Sequence, residues 1–392
     1  MCPDRRHFLK TTAAASGALG IGLAGGASSL AAGGLDRARE PGTILGVAPA
    51  GPAPRSLEIL ILGGTSFLGP HQVRYAVERG HSVSIFTRGR TQPPLFHDAF
   101  ERVEHLIGDR EDDLEALKGR SWDAVIDNSG AQVRWTRDTA ELLKDHAGAY
   151  LYVSSTGVYY PYLTTDISED GPVLLEDPSD GENGSRAYGV MKANSEAAAQ
   201  EAFGSRALVI RPGYIAGPAD RSDRFTYWPV RIHRGGDVLV PGRRGDQVQF
   251  IDVRDLTEWM VHLLEEGKGG VFNATGPGSP LTMEEFVYGV KAAFSAAVNW
   301  HWVDDYDFLR ENRFLFAIPW IMPEGDELGS MRIDVSKAGA NGLKYRPLAI
   351  TAMDTLAWWF SGALTDERRA AARFVLSPER EAELLAAWKG RG

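Results

Sequence analysis

Tyr188 and Lys192 lie four residues apart in Tyr188-Gly189-Val190-Met191-Lys192. On a helix that spacing puts phenol and ammonium on one face, one turn apart. A cation beside a phenol favours the phenolate. The expectation is therefore a tyrosine pKa drawn from about 10 towards neutrality, and a phenol able to move protons. Upstream, Tyr152-Val153-Ser154-Ser155-Thr156-Gly157-Val158-Tyr159 offers hydroxyls that can hydrogen-bond an alcohol oxygen as it becomes alkoxide or carbonyl. Taken singly, Ser154 or Ser155 is more often a strand cap. Together with Tyr188 and Lys192 they make a proton-transfer constellation.

Gly63-Gly64-Thr65-Ser66-Phe67-Leu68-Gly69 carries a different chemistry. Glycines between a strand and a helix let the backbone approach a pyrophosphate, which rests on the free N–H groups of the helix N-terminus. All seven residues are candidate dinucleotide contacts, although Ser66 stands where the usual three-glycine fingerprint has its middle glycine. Thr87-Arg88-Gly89-Arg90 follows the next strand, where an acid would take a ribose 2′-hydroxyl. Arginines suit a 2′-phosphate instead, so NADP is favoured over NAD, with Arg88 the candidate contact. The alternative is that both arginines face solvent. Asp109, after the third strand, is placed for the adenine, or else caps a helix.

These groups need a scaffold. Leu57–Leu62 is a nearly continuous apolar run, as a strand buried on both faces should be. A helix from Leu68 to Arg79 follows, then strands over 82–87, 102–107, 123–127 and 149–154 with helices between. A long helix over 185–203 carries Tyr188 and Lys192 and leads into a strand over 207–211. Strands alternating with helices predict an α/β fold, a Rossmann-type doubly wound parallel sheet over 56–217. A smaller α/β substrate lobe is expected mainly over 218–350, with returns to the Rossmann core, holding helices over 253–264 and 283–294, with C-terminal helices over 351–392.

With these motifs in place the chain resembles the extended, atypical short-chain dehydrogenase/reductases of the NAD-dependent epimerase/dehydratase branch. Gly108-Asp109, Ser154-Ser155-Thr156-Gly157-Val158-Tyr159, Arg211-Pro-Gly-Tyr-Ile-Ala-Gly-Pro218 and Phe250-Ile-Asp-Val-Arg-Asp255 add to the likeness. The resemblance implies Ser155 as active-site hydroxyl, with Ser154 and Thr156 as substitutes. It implies Tyr188 as acid/base and Lys192 as its partner, bonded also to the nicotinamide ribose. Ser154 and Pro212 join the expected cofactor contacts. Nucleotide-sugar members commonly carry an arginine two positions before Phe-Ile-x-Val. Here that position is Val248, which argues against a UDP- or TDP-sugar.

Aromatic residues Tyr159, Tyr160, Tyr162, Tyr227, Trp228, Trp300 and Trp302 are candidates to stack on a sugar-like ring, or else belong to the core. Arg224, His233 and Arg254 are candidates for a substrate oxygen or carboxylate, or surface charge. Nine histidines show no metal-ligand spacing, so no metal is expected. Gly-x-Ser-x-Gly is absent, which argues against a serine hydrolase.

Composition narrows the class. Hydrophobic residues are 43% and charged residues 24% of 392, the balance of a globular core, and the net charge of −10 argues against nucleic acid as partner. Cys2 is the only cysteine, which removes disulfide scaffolds and thiolate chemistry. Asp4-Arg5-Arg6-His7-Phe8-Leu9-Lys10, a mild apolar run and Ser29-Leu30-Ala31 resemble a twin-arginine signal over 1–31. Export by that machinery to the periplasm or beyond is expected, without a stable membrane anchor. Residues 32–55 read as a linker, and a homo-oligomer is left open. The expected activity is hydride transfer at a secondary alcohol or ketone, most plausibly of a sugar or glycoside. Tightly bound cofactor and redox-neutral chemistry are expected. Two alternatives are a non-catalytic binding protein on the same fold and a simple NADP-dependent reductase.

Overall fold

The computed structural model describes residues 51–128, 131–177 and 183–391. The expected export signal and most of the expected linker lie outside the described residues.

Walking along the chain, β1 (Glu58–Leu62), α1 (Leu68–Glu78), β2 (Ser82–Thr87), β3 (Glu104–Ile107), β4 (Trp122–Asp127), α2 (Val133–Leu143), β5 (Ala147–Val153), α3 (Gly184–Phe203) and β6 (Ala207–Pro212) build the first half. Then come α4 (Tyr227–Arg234), β7 (Gly236–Pro241), α5 (Val253–Glu265), β8 (Gly270–Ala274), α6 (Met283–Lys291), β9 (Val298–Val303), α7 (Leu348–Trp359) and α8 (Pro378–Lys389). The central sheet has seven strands in the order β8-β6-β5-β4-β1-β2-β3. Every neighbouring pair is parallel. This is the doubly wound architecture expected.

Alternate side chains of one strand feed opposite layers. Ile59 and Ile61 of β1 enter a core with Val73, Ile126 and Met260, whereas Leu60 and Leu62 pack with Val125, Tyr150 and Ala199 on the other face. Successive strand residues point to opposite faces, so a strand covered on both sides must be apolar throughout.

The lobe has its own core, centred on Phe225, Trp228, Phe250, Phe286 and Trp320. Two details differ from the expectation. Helix α5 does not belong to this lobe: Leu256, Trp259, Met260 and Leu263 pack into the sheet layer beside α1. Its amphipathic spacing identifies a buried face but not the surface that face meets. The C-terminal helices, in turn, complete the lobe, with Ala352, Leu384 and Leu385 in its core.

A buried ion triad joins the two halves. Arg254, on the first turn of α5 and fully buried, donates to both oxygens of Asp252 at 2.9 and 2.8 Å and to Asp354 of α7 at 2.5 Å. Arg254 is therefore structural and unavailable to a substrate. No helix among the described residues is long and apolar enough to cross a membrane.

Candidate active site

The carboxyl ends of the sheet strands open into two adjoining cavities of about 700 and 390 Å³. They share Gly63, Ser66, Asn128 and Arg221 as lining. Ligands of open α/β sheets bind at this end, and volumes of a few hundred Å³ suit small molecules.

The glycine turn forms the floor between them. Gly63 has φ +83°, a conformation that favours glycine. A Cβ on Gly69 would stand 2.3 Å from the Gly64 carbonyl oxygen, and one on Gly64 would stand 2.8 Å from the Ile85 side chain. Gly64 and Gly69 therefore bring α1 against the sheet and line neither cavity, a correction to their expected role as direct contacts. Gly63 and Ser66 face both cavities, Thr65 the smaller one, and Phe67, Leu68 and Pro212 the larger. The substitution at Ser66 leaves the turn intact because the tight approach is made at Gly64 and Gly69. Thr275 Oγ1, at the larger cavity, is buried with no hydrogen-bond partner among the described residues.

Arg88 and Arg90 are exposed at the rim of the smaller cavity and form no ion pair among the described residues. Asp109 lines the same cavity, and its Oδ1 accepts the Glu111 N–H at 3.1 Å inside a turn closed by the Asp109–Asp113 bridge; no helix starts there, so the alternative of a helix cap is corrected. A pyrophosphate-sized cradle, a helix N-terminus and cations at the rim fit a dinucleotide. Gly63, Thr65, Ser66, Arg88 and Asp109 would hold it.

Tyr188 and Ser155 meet at the larger cavity. Ser155, two residues beyond β5, is extended and caps the following turn, its Oγ accepting the Gly157 N–H at 3.0 Å. Tyr188, 43% exposed on the cavity wall, stands beside it: a Cβ on Gly157 would lie 3.1 Å from the Tyr188 ring and 3.2 Å from Ser155 Oγ. Gly189 permits the approach: a Cβ there would lie 2.3 Å from the Gly157 carbonyl oxygen. Helix α3 and the serine turn thus touch backbone to backbone beside the reacting groups.

The expected low tyrosine pKa is corrected. Burial raises Tyr188, opposed by the Ser155 hydroxyl and the nearby Arg224 charge. Lys192 lies on the same helix face, but its ammonium donates to the Val153 carbonyl at 2.8 Å and sits over the Tyr152 ring. Burial lowers Lys192 itself to about 8, while Asp127 and Glu196 hold it up. Spacing of four residues fixes a shared face and leaves the ammonium's direction open.

Ser154 lines the larger cavity as expected, but its hydroxyl is already engaged. It is buried against Glu196, which is locked to Arg211 by bonds of 3.0 and 2.7 Å. Only its backbone remains for a cofactor. Thr156 lines the larger cavity. Tyr160 and Tyr162 face the cavity as expected. Tyr159 instead bonds Asn273 and Arg211, while Tyr227 and Trp228 fill the lobe core. Trp300 and Trp302 pack at the margin of that core, outside the cavities. Arg224 lines the larger cavity and stacks on Tyr214. His233 lies outside, against Phe294 and Phe360. Val248 is core.

Sequence reasoning missed Tyr214, Gln249, Glu327 and Met331, which line the larger cavity. Burial raises the Glu327 carboxyl, with Ser330 opposing. Tyr214 sits in the quoted Arg211–Pro218 stretch, so its signal was present. The others follow no local motif.

Residues 59–275 match the NAD dependent epimerase/dehydratase family, and the chain belongs to it. The chain is 33% identical over 233 residues to the chloroplast stem-loop binding protein of 41 kDa b from Arabidopsis thaliana, covering 56% of this chain and 58% of that protein. It is 26% identical over 250 residues to a dTDP-4-dehydro-6-deoxy-D-allose reductase of Streptomyces bikiniensis, covering 56% and 76%. Among solved structures, the Bordetella bronchiseptica enzyme WbmG in complex with NAD and UDP superposes with a TM-score of 0.59 at 18% identity, covering 80% of this chain and 97% of that one. That likeness is of fold.

Proposed function

We propose that the protein is an exported enzyme acting at a secondary alcohol or ketone of a sugar or glycoside, with a nicotinamide dinucleotide held tightly across the two cavities. The observation that carries this reading is the Ser155–Tyr188 pair on the wall of the larger cavity, beside the glycine turn. A bound nicotinamide would supply reversible hydride acceptance. Tyr188 moves the hydroxyl proton, and Ser155 steadies the same oxygen by hydrogen bonding. Lys192, near its own titration point, favours the phenolate once a ligand displaces water from the cleft. Tyr160, Tyr162 and Tyr214 offer ring faces to a sugar.

The twin-arginine motif supports export of a folded, loaded enzyme. Outside the cytoplasm a loosely held dinucleotide would be lost by mass action. A cofactor that stays must be restored within each cycle, which favours redox-neutral chemistry. Epimerisation through a transient ketone, oxidation–elimination–reduction, and hydride transfer between successive substrates all satisfy that demand. Val248 in the core, where nucleotide-sugar members carry an arginine, supports a free sugar or glycoside.

The reading is tested by incubating the purified protein with sugars and glycosides deuterated at single ring carbons. A primary isotope effect without accumulation of reduced nicotinamide is expected. Product formation with no isotope effect at any ring carbon would contradict it.

Arg88 and Arg90 support NADP, whereas the family is described as NAD dependent and WbmG holds NAD. Arg88→Ala is expected to weaken NADP about 10-fold or more, as loss of a charge-assisted phosphate contact does, and to leave NAD little changed. Equal losses in a binding titration would remove Arg88 from the 2′-phosphate.

A binding protein on this fold is the second reading, favoured by the 33% identity to a stem-loop binding protein. The acidic net charge of −10 opposes it.

A further inference from the structure

Arg221 is the one residue beyond β6, among the described residues, that lines the smaller cavity. Its other lining comes from the sheet half: strand ends, turns and Trp135 of α2. Arg221 lines the larger cavity as well, and so stands at the junction of the two, with Gly63 and Ser66 of the glycine turn. Its side chain is exposed and forms no ion pair among the described residues.

The loop that carries it is held from three sides. Ala219 and Asp223 have φ of +73° and +60°, conformations that L residues adopt only when their surroundings impose them. On the side of α1, His71 is buried and neutral, its pKa lowered to about 3 by burial, so its Nε2–H donates to the Pro218 carbonyl at 3.0 Å. Within the loop, the Asp220 carboxylate accepts the Ser222 N–H at 2.8 Å and the Ser222 hydroxyl at 2.9 Å. On the C-terminal side, Ala219 packs with Trp358 and Trp359. There the fully buried Asp223 accepts Arg368 Nη2 at 2.6 Å and the Arg373 N–H at 2.9 Å. Arg368 also donates to the carbonyl of Arg221 itself, at 3.3 Å. A loop this constrained fixes where the Arg221 guanidinium begins, so little conformational freedom is lost when it meets an anion.

From this placement we infer that Arg221 is a dinucleotide-binding residue that closes over the pyrophosphate opposite the glycine turn, and that Arg368 is the latch holding it there. The inference rests on the dinucleotide reading above. A pyrophosphate on the N-terminus of α1 would lie at the shared floor of the cavities, within the part of the cleft that Arg221 overhangs. Guanidinium forks suit phosphate oxygens, and here the fork comes from the lobe rather than the sheet. Cofactor retention then depends on the C-terminal segment, which contributes no atom to either cavity.

The test compares binding and release of NAD, NADP and ADP-ribose by the purified full chain carrying Arg221→Ala, Arg221→Lys, Arg368→Ala or Arg88→Ala. ADP-ribose keeps the pyrophosphate and lacks the nicotinamide. Arg221→Ala is expected to weaken all three ligands by a similar factor, about 10- to 100-fold, with Arg221→Lys recovering part of the loss. Arg368→Ala is expected to speed ligand release severalfold with a smaller change in equilibrium affinity. Unchanged affinity in Arg221→Ala, or a loss confined to NADP, would overturn the pyrophosphate assignment. Unchanged release in Arg368→Ala would overturn the latch. Failure of the unaltered chain to bind any of the three would instead contradict the dinucleotide reading itself.

Discussion

Replacing Tyr188 by phenylalanine is expected to lower turnover about 10²- to 10⁴-fold, the range for losing a positioned acid/base. The substitution keeps the ring, which packs beside Gly157, and deletes one oxygen at a half-exposed position on the cavity wall. The fold is therefore expected to stay intact, and dinucleotide affinity to change little because Lys192 and the glycine turn remain. Steady-state turnover and a separate dinucleotide titration check the two halves. A variant that turns over normally would remove Tyr188 from proton transfer. A variant that loses affinity in proportion to activity would make the residue a binding group instead.

The second large effect is on stability. Arg254→Ala leaves Asp252 and Asp354 buried without their shared cation, and removing one partner of a buried ion pair typically costs about 3–5 kcal/mol. Domains of ordinary stability hold about 5–15 kcal/mol, so a substantial fraction of that margin is at stake. Thr351 and Arg346 also contact Asp252 and offset part of the loss. Because the triad ties α5 to α7, the lobe is expected to loosen first, visible as faster hydrogen exchange in the C-terminal helices. Denaturant unfolding measures the cost. A change below about 1 kcal/mol would show that water or a neighbouring cation replaces the guanidinium. The double variant Arg254→Met with Asp354→Leu is expected to recover only part of the loss, since it removes the Asp354 charge and leaves Asp252 buried with Thr351 and Arg346.

The sheet was legible because burial on both faces demands unbroken apolar runs. Ser82–Thr87 is found with the bounds read from sequence, and β1, β4 and β5 within two residues. The partner of α5 was not legible, since one apolar stripe serves a sheet or a lobe equally well. At the site, the adjacent serines illustrate the limit. In extended backbone neighbouring side chains point to opposite faces, so Ser154 turns to Glu196 and Ser155 to Tyr188. Spacing alone names both hydroxyls; the strand's orientation decides between them. Arg254 and His233 read as candidate substrate contacts from their type, whereas their fate was set by partners a hundred or more residues away in Asp354 and Phe360. Gln249 and the Glu327–Met331 stretch join Tyr214 at one cavity, and no local pattern announces that convergence.

The central claim is that the protein works on a dinucleotide it does not exchange. Denaturing the purified protein and quantifying the released nucleotide tests that most directly. The account predicts close to one dinucleotide per chain, and turnover that needs none added. Protein that emerges empty, and works only with millimolar cofactor supplied, would contradict it.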